Sequence, residues 1–323
     1  MENTNPLVSI VVISYNSSKY VLETLESAKV QTYENIELIV SDDCSIDNTV
    51  EICRNWINEN RNRFVRTELI TFEKNTGIPA NCNRGAKAAK GEWIKLIAGD
   101  DILAVDCVKN IVEYSKINPQ AEIVASCAQH FLEEFKPENF GEYRSIKGNE
   151  NFFNTDISAL EQYNFLLRKY YMRSPMCSPS VYVKKSALIK NDFYDERYFM
   201  EDYSFFLKAT KNGYKFYFMD KLSVYYRVHT DSASSPNRGQ LFDAHLYLKS
   251  MLFEKKEVLP YLKWHEGFIR YYKYYIIKGM SFLNMNKDNV FCKSIFVLLY
   301  YSPFRQIQIL KNSIHKHSKI IKK

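Results

Sequence analysis

Two pairs of adjacent carboxylates are the residues of this sequence best suited to chemistry. Asp42 with Asp43, and Asp100 with Asp101, each follow a short apolar run typical of a buried strand. Neighbouring carboxylates repel each other, and burial makes the repulsion costly unless a cation lies close by. A hard divalent cation with oxygen ligands, often shared with a phosphate, is the usual remedy. The alternative for the second pair is a solvated turn in which Asp101 caps the next helix.

The elements that must position these acids alternate between strands and helices. Continuous apolar or β-branched runs predict strands, and stretches with helical spacing separate them. The predicted strands of the first third are Leu7–Ser14, Ile36–Val40, Arg66–Phe72 and Trp93–Ile97. Such alternation predicts a mostly parallel, doubly wound α/β sheet, in which ligands bind at the carboxyl ends of strands. All four acids fall at those ends, so the pattern predicts one acid-rich crevice.

The usual nucleotide-binding loops are missing from the sequence. No G-x-G-x-x-G follows the first strand, and G-x-x-x-x-G-K-[ST] occurs nowhere. A phosphate in the predicted crevice would therefore be held by a metal ion and by scattered backbone groups. This disfavours a dehydrogenase or a kinase.

Two ordered blocks of sequence resemble a known family. VVISYNSSKYVLETLESAKVQTYENIELIVSDDCSIDNT is similar to the opening of family 2 glycosyltransferases, and EKNTGIPANCNRGAKAAKGEWIKLIAGDD is similar to their second block. The resemblance extends over roughly residues 7–230. It implies a GT-A fold, a Rossmann-like and mostly parallel central sheet flanked by helices. It also implies an inverting glycosyltransferase that uses a nucleotide-diphosphate sugar.

The resemblance implies roles for individual residues of the nucleotide-sugar half. Asp42 matches the carboxylate that bonds the edge of the base, usually uracil. Asp100 matches the metal ligand of the D-x-D motif, which would hold Mn²⁺ or Mg²⁺ together with the diphosphate. The residues implied to contact the nucleotide sugar in this half are Ser14, Tyr15, Asn16, Asp42, Asp43, Asn75, Gly77, Arg84 and Asp101.

The sequence departs from the family pattern in two places. The family commonly has D-x-D-D at this motif, but the first position of the motif is Ala98 in this chain. The metal would therefore be held by Asp100, by Asp101 and by the diphosphate. The common A-R-N of the preceding helix is also altered, because Arg84 stands one place after the asparagine. Both departures bear on the nucleotide contacts.

The acceptor half contributes a second acidic pair and a His motif. Glu201 and Asp202 precede a predicted helix, where acids are also favoured by the helix dipole alone. In the family this pair faces the sugar, and the resemblance makes Asp202 the general base. Arg227 and His229 match the family's Y-R-x-H, which implies that Arg227 contacts the donor and that His229 either binds the metal or contacts the diphosphate. The polar residues 230–239 that follow predict a loop that closes over the leaving group.

The domain organisation follows from these patterns. Residues 1–239 form the predicted GT-A domain, with a nucleotide-sugar half of about 1–103 and an acceptor half of about 104–239. The long polar stretch His130–Asn154 predicts a variable loop that recognises the acceptor. Residues 240–323 predict a helical C-terminal extension. Its aromatic residues recur at steps of three or four, which we interpret as a packing face: Trp264, Phe268, Tyr271, Tyr275 and Phe282.

The positive charge of the chain is concentrated at its end. Of the net charge of +7, residues 289–323 supply seven Lys and Arg with no Asp or Glu, so residues 1–288 are neutral with 37 of each sign. A charge confined to one end disfavours a nucleic-acid partner. Ser302 and Pro303 begin a predicted basic amphipathic helix that either docks on an anionic membrane surface or packs on the body.

Cysteine usage and the absence of targeting signals predict the compartment. Seven cysteines with no C-x-x-C pair favour a reducing environment. The start of the chain lacks the features of a signal peptide, and no apolar run reaches the roughly 20 residues of a membrane span. We therefore expect a cytoplasmic enzyme, peripheral on the inner face of the plasma membrane if the tail docks there.

The predicted function is transfer of a sugar from a nucleotide-diphosphate donor, with UDP-sugars favoured, to a hydroxyl of a glycan or lipid-linked glycan in bacterial surface polysaccharide synthesis. Two alternatives stay open. A catalytically inactive glycosyltransferase-like binding protein is suggested by Ala98. A sugar nucleotidyltransferase shares the alternating sheet, but it requires a Gly- and Arg/Lys-rich loop where this chain has Ser14, Tyr15 and Asn16.

Overall fold

The computed structural model describes residues 5–169, 174–229, 240–242 and 244–300. The chain consists of two compact units, Met1–Val228 and His229–Lys323. The boundary predicted after Gly239 falls within residues 230–239, outside the described part. The predicted tail helix and the predicted closing loop also lie outside it, so both stay predictions.

The first unit opens with the predicted strand and helix alternation. Within its described part, strands β1 to β9 span Val8–Ser14, Ile36–Asp42, Arg66–Thr71, Trp93–Ala98, Ile102–Leu103, Ile123–Leu132, Phe140–Arg144, Tyr182–Lys184 and Phe216–Val228. The helices of this unit, α1 to α8, span Val21–Lys29, Thr49–Asn60, Ile78–Ala88, Cys107–Ile117, Glu150–Phe153, Ala159–Lys169, Lys185–Lys190 and Glu201–Lys211. The α/β class predicted from the sequence is confirmed.

All nine strands belong to one sheet in the described part of the chain, in the order β3-β2-β1-β4-β8-β6-β9-β5, with β7 paired to β6. Strands β1 to β4 are parallel to one another, as predicted from their long crossover helices. The register aligns Ser14 with Asp42 and Ile13 with Ala98. The loops after β1, β2 and β4 therefore open at the same edge of the sheet.

The acceptor half is more regular than the sequence indicated. The predicted loop His130–Asn154 contains the end of β6, strand β7 and helix α5. Strand β9 extends from Phe216 to Val228, and the Y-R-x-H motif lies at its end. It runs parallel to β6 and antiparallel to β5. Because β5 directly follows the Asp100–Asp101 pair, β9 brings the acceptor half against the nucleotide half.

The second unit is helical in its described part. Helix α9 spans Ala244–Phe253, α10 spans Trp264–Phe282, and residues 290–300 are also helical. The predicted C-terminal helical extension is confirmed. In the described residues, no helix is both long enough and apolar enough to cross a membrane.

The interpretation of the aromatic stripe on α10 as a packing face is wrong. The buried side chains of α10 are Arg270, Ile277 and Met280, which lie on the other side of the helix from the stripe. The stripe is exposed to solvent. Helical spacing identified its members correctly, but spacing does not say which face a neighbouring element covers.

Candidate active site

The Asp100–Asp101 turn closes the carboxyl end of β4. The Gly99 amide donates to the carbonyl of Ile13 at 2.8 Å, and the Asp101 amide donates back to the carbonyl of Ala98 at 3.2 Å. A side chain at position 99 would meet the Ser17 side chain at 3.3 Å, so glycine allows this close approach to the β1 loop. The turn leaves Asp100 half-buried and Asp101 fully buried.

Arg227 on β9 holds the Asp100–Asp101 turn through hydrogen bonds. Its backbone N–H donates to Oδ1 of Asp101 at 2.9 Å, and its Nε donates to the carbonyl oxygen of Asp100 at 2.7 Å. Its remaining guanidinium nitrogens donate to the Glu133 carbonyl and, at 3.0 Å, to Oε2 of Glu23. The guanidinium also lies 4.3 Å from the ring centroid of Tyr20. With 1% of the side chain exposed, Arg227 faces protein on all of these sides.

Burial sets the electrostatics of the acidic turn. It raises the pKa of Asp101 well above the ordinary value, the Asp100 carboxylate raises it further, and Arg227 opposes both. Lys95, a β4 residue that the sequence reading passed over, is fully buried, and burial lowers its pKa to about 8. Its Nζ donates to the carbonyl of Pro179 and lies 4.3 Å from the ring centroid of Tyr182. The presence of a lysine within the apolar run of a predicted buried strand is the sequence feature that indicates a buried partner for Lys95.

Asp42 links the loops after β1 and β2. Its carboxylate accepts from Ser14 Oγ at 2.8 Å and from the Ser45 amide at 2.8 Å, and the Ser45 hydroxyl also bonds it. Asn16, which has a positive φ of 51°, also joins the two loops. Its backbone N–H donates to Ser45 Oγ, and its side-chain Oδ1 accepts from the backbone N–H of Ile46. Two of the residues predicted to contact the base differ in exposure, because Asp42 is 1% exposed and Tyr15 is 48% exposed.

Asp43 joins the loop after β2 to the start of α3. Its carboxylate accepts from the amides of Thr76 and Gly77 at 2.9 and 2.8 Å and pairs with Arg84 Nη2. Gly77 has a φ of 91°, a conformation that side chains rarely adopt, and Asn75 Oδ1 accepts a second bond from its amide at 3.1 Å. The structure thus brings Asp43, Asn75, Gly77 and Arg84 together as one cluster.

The acidic pair of the acceptor half begins α8. Glu201 and Asp202 occupy its first turn, and both residues are half-buried. Burial, followed by the neighbouring Asp202 carboxylate, raises the pKa of Glu201 to about 8. The hydroxyl of Ser178 lies at 3.5 Å from Glu201 Oε1, and Oδ1 of Asp202 accepts from the Tyr203 amide at 2.6 Å. At neutral pH, one position of this pair therefore holds a proton.

Asn83 positions the segment that leads to α8, a role the sequence reading missed. Its Nδ2 donates to the Tyr194 carbonyl at 2.8 Å, and its Oδ1 accepts from the Tyr194 amide at 2.9 Å. Nδ2 also donates to Glu196 Oε1 at 2.8 Å. A buried asparagine on α3 thus connects the nucleotide half to the acceptor half.

Metal-binding residues were predicted at two places. Asp100 stands at the acidic turn, and His229 directly follows β9 and is buried. Throughout the described ranges, no group of three or more His, Cys, Asp and Glu side chains is arranged to hold a metal ion. The Asp100 carboxylate raises the pKa of Asp101, because the two negative charges repel each other. A cation shared with a ligand would relieve this repulsion, so the pair suits such a cation.

Comparison with known families decides the class of the protein. The family described as Glycosyl transferase family 2 matches residues 9–196, more than half of the chain. The chain is a family 2 glycosyltransferase. The match contains the acidic turns of β2 and β4 and ends before Asp202, Arg227 and His229. The resemblance found in the sequence is confirmed, and so is the assignment of the chain as a transferase.

Several curated proteins are similar to this family 2 glycosyltransferase. An uncharacterized glycosyltransferase of Methanocaldococcus jannaschii is 26% identical over 79% of this chain and 82% of its own length. The Escherichia coli UDP-Glc:alpha-D-GlcNAc-diphosphoundecaprenol beta-1,3-glucosyltransferase WfaP is 28% identical over 76% of this chain and 86% of its own. The Bacillus subtilis minor teichoic acid biosynthesis protein GgaB is 26% identical over 83% of this chain, but this covers only 28% of GgaB.

A solved structure confirms the fold. The Staphylococcus aureus TarS fragment 1–349 in complex with UDP-GlcNAc superposes with a TM-score of 0.56 at 21% identity, over 85% of this chain and 73% of that one. At this identity the likeness concerns the fold alone. The GT-A architecture expected from the sequence is thereby established for this glycosyltransferase.

Proposed function

We propose that this glycosyltransferase moves a sugar from a UDP-sugar to a hydroxyl of a glycan or lipid-linked glycan, with inversion at the anomeric carbon, in the synthesis of a bacterial surface polysaccharide. The observation that carries the proposal is the meeting of three loops at one sheet edge, which brings Asp42, Asp43 and Asp100 to the carboxyl ends of parallel strands. This edge is where open α/β sheets bind ligands.

The donor is proposed from the loop geometry and from the relatives. Ser14 and Ser45 donate to the Asp42 carboxylate, and Asn16 donates to Ser45. Tyr15, next to Ser14 in the chain, is exposed, so the loop offers a fixed carboxylate and an aromatic ring to a pyrimidine base. TarS was solved with UDP-GlcNAc, and WfaP is named for UDP-Glc. These names support UDP as the nucleotide of this chain, and they leave the sugar to experiment.

Asp100 would hold the divalent metal that family 2 glycosyltransferases generally use. The half-buried carboxylate stands at a turn fixed by Arg227, and Mn²⁺ or Mg²⁺ needs only one or two protein carboxylates when diphosphate oxygens complete its shell. When bound, the ion supplies positive charge that stabilises the departing diphosphate. His229 is proposed as a further ligand.

Asp202 is proposed as the general base. Its carboxylate removes the proton from the acceptor hydroxyl while that oxygen forms a bond to the anomeric carbon. The bond from this carbon to the diphosphate oxygen breaks on the opposite face, and the configuration inverts. Glu201, with its raised pKa, keeps a proton beside Asp202 and so leaves the negative charge on the base.

The acceptor is proposed to be a glycan, free or linked to a lipid. WfaP is named for an acceptor on diphosphoundecaprenol, and GgaB is named for minor teichoic acid biosynthesis. A lipid-linked acceptor would place the reaction at the cytoplasmic face of a membrane.

A panel of nucleotide sugars tests the donor. The full chain should melt at a higher temperature with a UDP-sugar and Mn²⁺ than with either alone, and a ligand at about 100 times its Kd adds roughly 2.7 kcal/mol. The reaction is tested with a diphosphoundecaprenol-linked sugar as the acceptor, and transfer is measured by the release of UDP. Binding without transfer or donor hydrolysis would favour the inactive binding protein. Formation of a UDP-sugar from UTP and a sugar 1-phosphate, with release of inorganic diphosphate, would favour a nucleotidyltransferase.

A further inference from the structure

Helix α10 exposes a continuous aromatic stripe. The exposed fractions are 84% for Trp264, 62% for Phe268, 61% for Tyr275 and 88% for Phe282. Steps of four and seven residues return to the same face of an α-helix, so these rings line one side of α10. Single exposed apolar residues are ordinary, but a row of large rings along one helix marks an interaction site.

The buried side of α10 contains an ion pair and two apolar side chains. Arg270 pairs with Glu254 in a buried ion pair, and Ile277 and Met280 are buried on the same side. Burial also lowers the pKa of Lys273 to about 8. A helix at the surface of a soluble protein normally turns its apolar face inward. The inner side of α10 holds Arg270, Ile277 and Met280, whereas its largest apolar side chains lie on the exposed face.

The neighbouring helical segment adds a second apolar surface. In residues 290–300, Val290, Val297 and Leu298 are exposed and line a shallow groove that also contains Lys293. This segment is attached to α10 by the Tyr272 hydroxyl, which donates to the Leu299 carbonyl at 2.8 Å. The exposed apolar area of the second unit therefore extends beyond one helix.

Charge indicates what covers this surface. Residues 229–300, which exclude the predicted tail helix, contain 10 Lys and Arg against 6 Asp and Glu, a net charge of +4, whereas residues 1–228 carry 28 against 31, a net charge of −3. Two copies meeting through this unit would bring like charges together. An anionic surface would instead attract it, since each Lys or Arg near such a leaflet adds roughly 1 kcal/mol.

We propose that the aromatic stripe of α10 docks on a bilayer of anionic phospholipids. Trp and Tyr are the residues that favour the boundary between headgroups and acyl chains. The exposed Lys278, three residues after Tyr275 on the same face, would extend its charge to the headgroups while its stem lies among the rings. The proposal depends on the second unit alone, so it stands or fails separately from the donor, the metal and the tail.

Trp264 is a built-in reporter of this docking. The sequence contains three tryptophans, and the other two, Trp56 and Trp93, are buried at 5% and 0% exposure. Phosphatidylglycerol vesicles added to the full-length chain should therefore shift Trp264 emission to the blue and protect it from acrylamide. Phosphatidylcholine vesicles should do neither, and Trp264→Phe should remove the response. An unchanged Trp264 signal with anionic vesicles would overturn the proposal.

A matched pair of variants distinguishes binding through the aromatic stripe from non-specific binding by any exposed apolar residue. Replacing Phe268, Tyr275 and Phe282 by Ser should lower the partition coefficient on phosphatidylglycerol vesicles by about 1,000-fold, because each transferred ring contributes roughly a factor of ten. The control replaces three comparably exposed apolar residues of the first unit by Ser: Val65, Ile117 and Leu160. The control should bind like the unaltered chain.

Three further readouts keep the test decisive. Thermal unfolding checks that the triple variant is folded, and Phe282→Ser alone, at the most exposed ring, serves if it is not. Flotation of the triple variant equal to that of the unaltered chain would overturn the proposal and leave the tail as the membrane contact. Light scattering that shows a dimer of the unaltered chain, lost in the triple variant, would assign the stripe to self-association instead.

Discussion

The backbone N–H of Arg227 donates to Oδ1 of Asp101 at 2.9 Å, while the Arg227 side chain donates to the carbonyl oxygen of Asp100. One residue of β9 thereby holds two consecutive acids of the β4 turn. The sequence implied that Arg227 would contact the donor, but the structure turns its guanidinium toward protein oxygens. We infer that it positions Asp100 through the backbone of the turn.

Arg227→Lys should weaken Mn²⁺-dependent UDP binding by about tenfold or more, the usual effect of losing a group that orients a metal ligand. Lysine cannot reach the Asp100, Glu133 and Glu23 oxygens together as the planar guanidinium does. Isothermal titration of UDP with and without Mn²⁺ measures the effect. Arg197→Lys, at an exposed arginine, is the control. Equal Mn²⁺-dependent affinities in both variants would refute the positioning role.

Asp100→Ala should abolish Mn²⁺-dependent UDP binding while the chain stays folded. The contact of Asp100 with Arg227 uses its backbone carbonyl, which the substitution keeps. Titration of UDP with Mn²⁺ and a thermal melt test both parts of the expectation, and Glu113→Ala, at an exposed acid, is the control. Retained metal-dependent affinity would show that Asp100 is not the metal ligand.

Asp202→Asn should keep donor affinity and lower kcat by about 10²- to 10⁴-fold, the usual contribution of a general base. The amide fills the same space and can still accept from the Tyr203 amide, so the start of α8 should hold. Steady-state transfer assays and UDP titration separate the two effects. Collapse of donor affinity with the loss of turnover would move Asp202 into the metal site.

Glu201→Gln should change the pH dependence of stability. The folded chain keeps the proton of Glu201 up to about pH 8, whereas the unfolded chain releases it near the ordinary pKa of 4.5. Glu201 therefore lowers the free energy of unfolding progressively as the pH rises through this window. We expect the variant to melt about 2–4 °C above the unaltered chain near pH 9 and at the same temperature near pH 4. A difference independent of pH would argue against the raised pKa.

Asp43→Ala should lower the free energy of unfolding by about 3 kcal/mol, because it leaves the mostly buried Arg84 without this partner and frees the amides of Thr76 and Gly77. Asp43→Asn should lower it less, since the amide oxygen still accepts from the backbone. Urea denaturation followed by circular dichroism compares the two. A loss below about 1 kcal/mol for both would mean that the cluster contributes little to stability.

The sequence by itself determined the alternating strands and helices with which the first unit begins. Buried parallel strands need continuous apolar runs, and their crossovers need helices, so β1 to β4 and their acidic ends could be placed from composition and spacing. The ordered motifs around Asp42 and Asp100 also identified the family. These features are local or periodic, which is why one chain without a structure reveals them.

The tertiary structure alone decided which way the side chains face. Asp42 and Asp43 are neighbours, yet one joins Ser14 and the other joins Arg84, because successive residues at a strand end point to opposite sides. Arg227 became a buried support only when β9 paired beside the acidic turn. Spacing marks the α10 stripe as one face, but whether that face is covered depends on elements distant in sequence. Burial is a property of the packed chain, and no local pattern records it.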